Sequence, residues 1–203
     1  MNEDMECPNC KQIVPGAQAV QHTIQCYRNA TKCKICQEVV QKDTKKQHLQ
    51  KWRNLEGLMQ EIVKDNEEVA GLYFDHGLDV NLQFLNSKKY EEKTPIHIAA
   101  ENGSLNVLLA LISRGAGVDP LDKECRTPLT LAIEKNKFAC ARSLIELGSD
   151  IEQLDAYGRT PLLYACKIGN KQMVEMLLNY GANVNVQNKT GDSCMSFAQK
   201  SGN

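Results

Sequence analysis

Seven cysteine and histidine residues near the N-terminus stand at spacings that suit a metal ion. Cys7 and Cys10 form a CxxC pair, His22 follows after eleven residues, and Cys26 after three more. A CxxC turn aims two thiolates at one centre, and a His and a Cys four apart share a helical face, so these four make a closed tetrahedral set. A second copy follows 26 residues on, with Cys33, Cys36 and His48 in phase and Trp52 where Cys26 stands in the first. Three readings of that copy stand side by side. It binds Zn2+ through three side chains with water or a nearby group as the fourth ligand, it holds no metal and Trp52 packs into the space, or a neighbouring chain completes it. Three ligands plus water is also the catalytic arrangement, but no HExxH glutamate or comparable base accompanies it. The expectation is therefore structural Zn2+, one ion at the first set and, where the three-ligand copy binds metal, a second there, holding modules too small to fold alone.

The other cysteines read differently. Of nine in all, five lie in the first 36 residues, while Cys125, Cys140, Cys166 and Cys194 are scattered singly with no His at ligand or catalytic spacing. Those four read as small hydrophobes. An odd, lopsided count with paired spacings suits a reducing compartment better than a disulfide framework, which points to an intracellular protein, cytoplasmic first, with the nucleus or a cytoskeletal assembly as alternatives. No apolar run approaches the ~18 residues of a membrane span, and the acidic, polar start from Met1 to Glu6 does not resemble a signal peptide. The net charge of −1 argues against a chain that coats nucleic acid by bulk charge. Charge is uneven, however. Between Arg28 and Arg53, eight Lys and Arg residues face only Glu38 and Asp43, a local +6. This is either a solvated face or a docking patch for an acidic protein surface. It lacks the aromatic residues that would stack bases, so RNA and DNA are poor candidates.

What must position any site downstream is a repeat. Thr94-Pro95-Ile96-His97 recurs as Thr127-Pro128-Leu129-Thr130, as Thr160-Pro161-Leu162-Leu163 and, weakly, as Ser193-Cys194-Met195-Ser196, each 33 residues after the last. Gly115-Ala116, Gly148-Ser149 and Gly181-Ala182 keep the same phase. In each unit Thr caps a first helix and Pro occupies its first turn, where no N–H partner is needed. In one unit Leu162, Ala165 and Cys166 line that helix, Gly169-Asn170 breaks it, and Met173, Val174, Met176, Leu177 and Leu178 form the apolar face of a second. Gly181 ends it as a left-handed cap. A single unit cannot bury its own apolar face, whereas stacked units can.

The period and the Thr-Pro-Leu-His signature resemble the ankyrin repeat over roughly residues 55–203. The resemblance implies a mainly α fold, a solenoid of helix-turn-helix units. It consists of an N-terminal capping repeat at 55–88, full repeats at 89–121, 122–154 and 155–187, and a partial repeat at 188–203. The capping repeat should turn Leu58, Ile62, Val69, Leu72 and Tyr73 inward. The partial repeat supplies a turn and one helix, and either further chain or a partner covers the apolar surface it leaves. The head resembles tandem Cys-Cys-His-Cys fingers of the TRAF type in Cys7-Pro8-x-Cys10 and Val14-Pro15. That resemblance implies small zinc-stabilised ββα-like fingers at 1–30 and 31–54. The ligand spacing is also similar to ubiquitin-binding fingers of DNA-repair proteins. Those place an acid between the His and the last Cys, where this chain has Thr23-Ile24-Gln25 and Leu49-Gln50-Lys51.

Ile98, Leu131, Tyr164 and Phe197 share one repeat position, which in ankyrin-like units packs between neighbouring first helices. His97 should bond backbone. The positions the framework leaves free lie at turn tips and on first helices, among them Glu124, Glu134 and Ile168. Tyr90, Arg126, Tyr157, Arg159 and Lys167 are the candidates for a partner surface, because Tyr and Arg are enriched at interface hot spots. No P-loop, nucleotide-binding glycine pattern or hydrolase triad signature is present, and the ligand order does not match a cross-braced RING. The expected function is a non-enzymatic adaptor that binds a protein partner through the ankyrin surface, with the fingers as a second docking module. The alternatives are a ubiquitin-pathway component acting through the fingers and a structural subunit of a large assembly.

Overall fold

The computed structural model describes residues 5–6, 13–14, 30–32, 39–41, 55–75, 78–83 and 92–201. The chain divides into two units, Met1–Gly57 and Leu58–Asn203. In the first, β1 (Met5–Glu6) pairs antiparallel with β2 (Ile13–Val14), and β3 (Ala30–Lys32) with β4 (Val39–Gln41). Met5 lies opposite Val14 and Glu6 opposite Ile13; Thr31 lies opposite Val40 and Lys32 opposite Val39. Advancing the first two pairs by 26 residues gives the second two, so the hairpins share the period of the Cys and His spacings. The helix expected to carry His22 and Cys26 lies outside the described residues, as does the basic run's side-chain structure.

The second unit is a stack of helical pairs. They are α1 (Leu55–Val63) with α2 (Glu67–Asp75), α3 (Pro95–Asn102) with α4 (Leu105–Ser113), α5 (Pro128–Glu134) with α6 (Phe138–Glu146), and α7 (Pro161–Ile168) with α8 (Lys171–Asn179), followed by α9 (Cys194–Ser201). First helices stack on first helices, α3 on α5, α5 on α7 and α7 on α9, and second helices on second helices, α2 on α4 and α4 on α6. The Thr-Pro starts work as their chemistry requires. The Thr130 N–H donates to Thr127 Oγ1 and the Leu163 N–H to Thr160 Oγ1, both at 3.3 Å, and Pro sits in the first turn of each helix. Between paired helices the chain passes through left-handed φ at Gly103 (80°), Asn136 (57°) and Gly169 (74°), residue types that tolerate it. Asp65 does the same in the capping repeat (56°) and turns its carboxylate onto the next repeat. There the N–H of Val107, at 2.9 Å, and the Asn106 side-chain amide, at 2.8 Å, donate to it at the start of α4.

Ile98, Leu131 and Tyr164 are buried between first helices, as their shared phase predicts, and Phe197 is half-buried. Leu58, Ile62 and Tyr73 are buried in the capping repeat, but Val69 and Leu72 are only half-buried. The larger departure is Leu178, expected on the apolar face and found exposed. Its equivalent one repeat earlier, Ile145, is buried. No second helix follows α9 among the described residues.

Candidate functional site

The loops that enter α5, α7 and α9 are each built around one side chain. Asp122 Oδ1 accepts from the N–H groups of Glu124 and Arg126, both at 2.9 Å, while Oδ2 accepts from Arg126 Nε at 3.0 Å and pairs with Nη2 at 2.9 Å. Asp155 repeats this with the N–H groups of Tyr157 and Arg159, both at 2.8 Å, and with Arg159 Nε and Nη2 at 2.8 and 2.7 Å. Asn188 reproduces the backbone half, accepting from Thr190 and Asp192 N–H at 2.9 and 2.8 Å. Burial works to raise the Asp155 carboxyl, but the Arg159 N–H and guanidinium, the Tyr164 hydroxyl and the Tyr157 N–H hold it below its ordinary value. Adjacent tips are joined through the backbone, the Ala156 N–H donating to Glu124 O at 2.8 Å and the Lys189 N–H to Tyr157 O at 3.0 Å.

His97 meets its expectation. Nδ1 accepts from the Thr94 N–H at 3.1 Å, so the proton sits on Nε2, which donates to Arg126 O in the next repeat at 3.0 Å. Burial pushes its pKa down to about 4, outweighing the Arg126 carbonyl and Asp122, which act to raise it. The ring is therefore a neutral strut between repeats.

Four of the five candidate partner residues come together. Arg126, Tyr157, Arg159 and Lys167 line one open groove of about 530 Å³, with Glu124, Glu134, Tyr164 and Ile168 completing it. Tyr90 lies outside the described residues. The two arginines are not the free side chains their turn-tip phase suggests. The Arg126 side chain is 11% exposed and bound by Asp122, Glu124 and Glu134; that of Arg159 is 19% exposed and held by Asp155. The Arg159 guanidinium also lies between two rings, 4.5 Å from the centroid of Tyr157 and 4.6 Å from that of Tyr164. The Tyr164 hydroxyl donates to Asp155 Oδ2 at 2.8 Å, and burial, with that carboxylate behind it, raises the phenol's pKa. Tyr157, Lys167 and Ile168 are the exposed members. The sequence reading missed Asp122, Asp155 and Asn188 as the side chains that shape the tips. Their common step of 33 residues was the signal that could have found them.

Arrays whose units repeat every 33 residues, with Thr-Pro starts and paired helices stacked like on like, have a family. Ankyrin repeats match in three copies, over residues 58–155, 115–188 and 147–203. The chain belongs to the ankyrin-repeat family. Arrays of this kind are protein–protein interaction modules, quasi-linear stacks with extended binding surfaces. No curated protein matched the chain. No helix among the described residues of this ankyrin protein is long and apolar enough to cross a membrane.

The zinc ligands expected from the sequence, Cys7, Cys10, His22, Cys26, Cys33, Cys36 and His48, lie outside the described residues. Among the described residues no group of His, Cys, Asp and Glu is placed to hold a metal. Of the four later cysteines only Cys140 is a fully buried small hydrophobe; Cys125 is exposed at a loop tip with φ 58°. Cys166 and Cys194 are half-buried, and the Cys194 thiol donates to Leu162 O at 3.8 Å across the stacking of α7 on α9.

Proposed function

We propose that this ankyrin protein is a non-enzymatic adaptor that holds a protein partner in the groove between the repeats of α5 and α7, with two zinc-held fingers before the array as a second docking module. The observation that carries the first part is the groove itself. It sits on the side formed by loop tips and first helices, and it offers a rigid floor with exposed apolar and aromatic members. Arg159 is fixed by Asp155 and two rings, so contacts made there cost little side-chain entropy. Tyr157, 52% exposed, and Ile168, 41% exposed, can be buried by a partner without disturbing the array.

Support for the fingers comes from the backbone. The connections from β1 to β2 and from β3 to β4 span residues 7–12 and 33–38, the segments that contain Cys7 with Cys10 and Cys33 with Cys36. A tight antiparallel hairpin whose turn carries CxxC suits two thiolates converging on one ion, and His22 with Cys26 would close the first set. Zn2+ bound there supplies folding free energy to a small module rather than chemistry.

The test is affinity capture with the full chain followed by titration of the partner recovered. Replacing Tyr157 and Ile168 together by Ala should weaken binding by about ten-fold or more, about 1.4 kcal/mol, at an unchanged melting temperature. An unchanged affinity would move the partner site off this groove.

A further inference from the structure

The first two full repeats pair a cation with a glutamate eight residues later, and the third departs from that rule. In the first full repeat Lys93 Nζ meets Glu101 at 2.9 Å, and Lys135 of the next repeat adds a longer contact to Glu101 at 3.9 Å. In the second, Arg126 Nη1 meets Glu134 and Glu124, each at 3.3 Å. One period further on, Arg159 stands where Arg126 stands. Tyr157 then takes the place of Glu124, and Lys167 the place of Glu134. Arg159 Nε and Nη2 are taken by Asp155, as Arg126 is by Asp122, but Nη1 has no hydrogen-bond or ion-pair partner among the described residues. Lys167 has none there either. The side chain at the glutamate position reaches the cation eight residues before it in both earlier repeats, so Lys167 brings a like charge towards Arg159 in the shared groove. Glu124 adds its field to Arg159, but Glu124 and Glu134 both form their ion pairs with Arg126, and neither pairs with Arg159 or Lys167 among the described residues.

We infer that the carboxylate missing from the third full repeat is supplied by the partner: the groove docks an acidic segment of a protein, one Asp or Glu of which bridges Arg159 and Lys167. This rests on the reading of the groove as the partner site and names the chemistry of its occupant. The bound carboxylate takes the role that Glu134 plays for Arg126, with a preorganised guanidinium as its main donor and Lys167 Nζ as a second charge. Tyr157 in place of Glu124 removes a competing acid and gives the segment's neighbouring apolar side chain a ring to lie on, with Ile168 beside it. Electrostatic complementarity of this kind selects partners as much as it tightens them.

The test uses the full chain and random peptides displayed on phage, with titration of the enriched sequences as free peptides. The expected result is enrichment of Asp or Glu next to an apolar residue, and a loss of at least about ten-fold when that acid becomes Gln or Asn. Lys167→Glu restores the residue type found at positions 101 and 134, so it should keep or raise the melting temperature while weakening the acidic peptides at least about ten-fold. Lys167→Met, which leaves the position uncharged, should weaken them in the same direction and serves if the first variant fails to fold. Acidic peptides bound equally well by both Lys167 variants would overturn the inference. Peptides that lose binding on Tyr157→Ala but carry no acid would overturn it too, while leaving the groove as the partner site. A selection yielding nothing sensitive to Tyr157→Ala would remove both readings.

Discussion

Asp155 gathers five donors of the third repeat onto one carboxylate, and the chain contains its own control. Its two oxygens accept from two backbone N–H groups, two guanidinium nitrogens and the Tyr164 hydroxyl, and the residue is 6% exposed. Asn188, one period later, keeps the backbone half of this set, and in place of the ion pair its neutral amide contacts Thr190 Oγ1, at 2.8 Å, and Asp192 Oδ2, at 3.5 Å. Asp155→Asn can do likewise, losing the charged contacts but still closing the loop. With Arg159 partly exposed, the loss of its ion pair is worth about 1–2 kcal/mol rather than the ~3–5 of a fully buried pair. Asp155→Ala also strands the N–H groups of Tyr157 and Arg159, adding about 1–1.5 kcal/mol for each. The expected order is therefore wild type, Asn, Ala, with the last step about 2–3 kcal/mol. Urea titration followed by helical circular dichroism measures it, provided the slopes agree. Equal losses for Asn and Ala would show that the carboxylate does not shape the loop, and the assignment of Asp122 and Asn188 to the same role would fall with it.

Leu177→Ala should cost about 2–5 kcal/mol, while Leu178→Ala, beside it but exposed, should cost less than about 0.5, and a reversed order in thermal melts would refute the packing described. His97 carries its proton less readily folded, at about 4, than unfolded, near 6.5. The unfolded chain therefore binds the extra proton first, and stability present above pH ~6.5 should fall towards pH ~4 by up to about 3 kcal/mol. Melting temperatures across that range for wild type and His97→Gln check this, and parallel curves would refute it. Metal analysis of the full chain should give between one and two Zn2+, and a chelator should unfold the head while the helical signal of the array persists. Protein that folds and carries no zinc would sink the finger reading.

Much of the array was legible because its determinants are local and periodic. Thr127 and Thr160 cap and Pro128 and Pro161 start their helices through contacts within one turn, and Ile98, Leu131 and Tyr164 repeat in the phase at which they stack. What escaped depends on neighbours in space. Leu178 looks as apolar as Ile145, yet it is exposed where Ile145 is buried. Arg126 and Arg159 have the type and phase of exposed hot spots, but buried carboxylates four residues earlier draw both in. The Cys194 thiol carries no spacing signal at all, since it reaches Leu162 O only through the stacking of α7 on α9. Of the groove, the sequence marked four side chains as candidates without showing that they share one hollow.

The carboxylates and amide at 122, 155 and 188 separate two jobs that most loops leave mixed. Each fixes the shape of its tip through bonds to backbone N–H groups, so the turn does not depend on which side chains stand two and twelve positions after Asp122 or Asp155. Glu124 and Glu134 could become Tyr157 and Lys167 in the next unit with the same turn beneath them. The array is in this respect a row of identical sockets, and a change of client requires new fittings in one socket rather than a new frame.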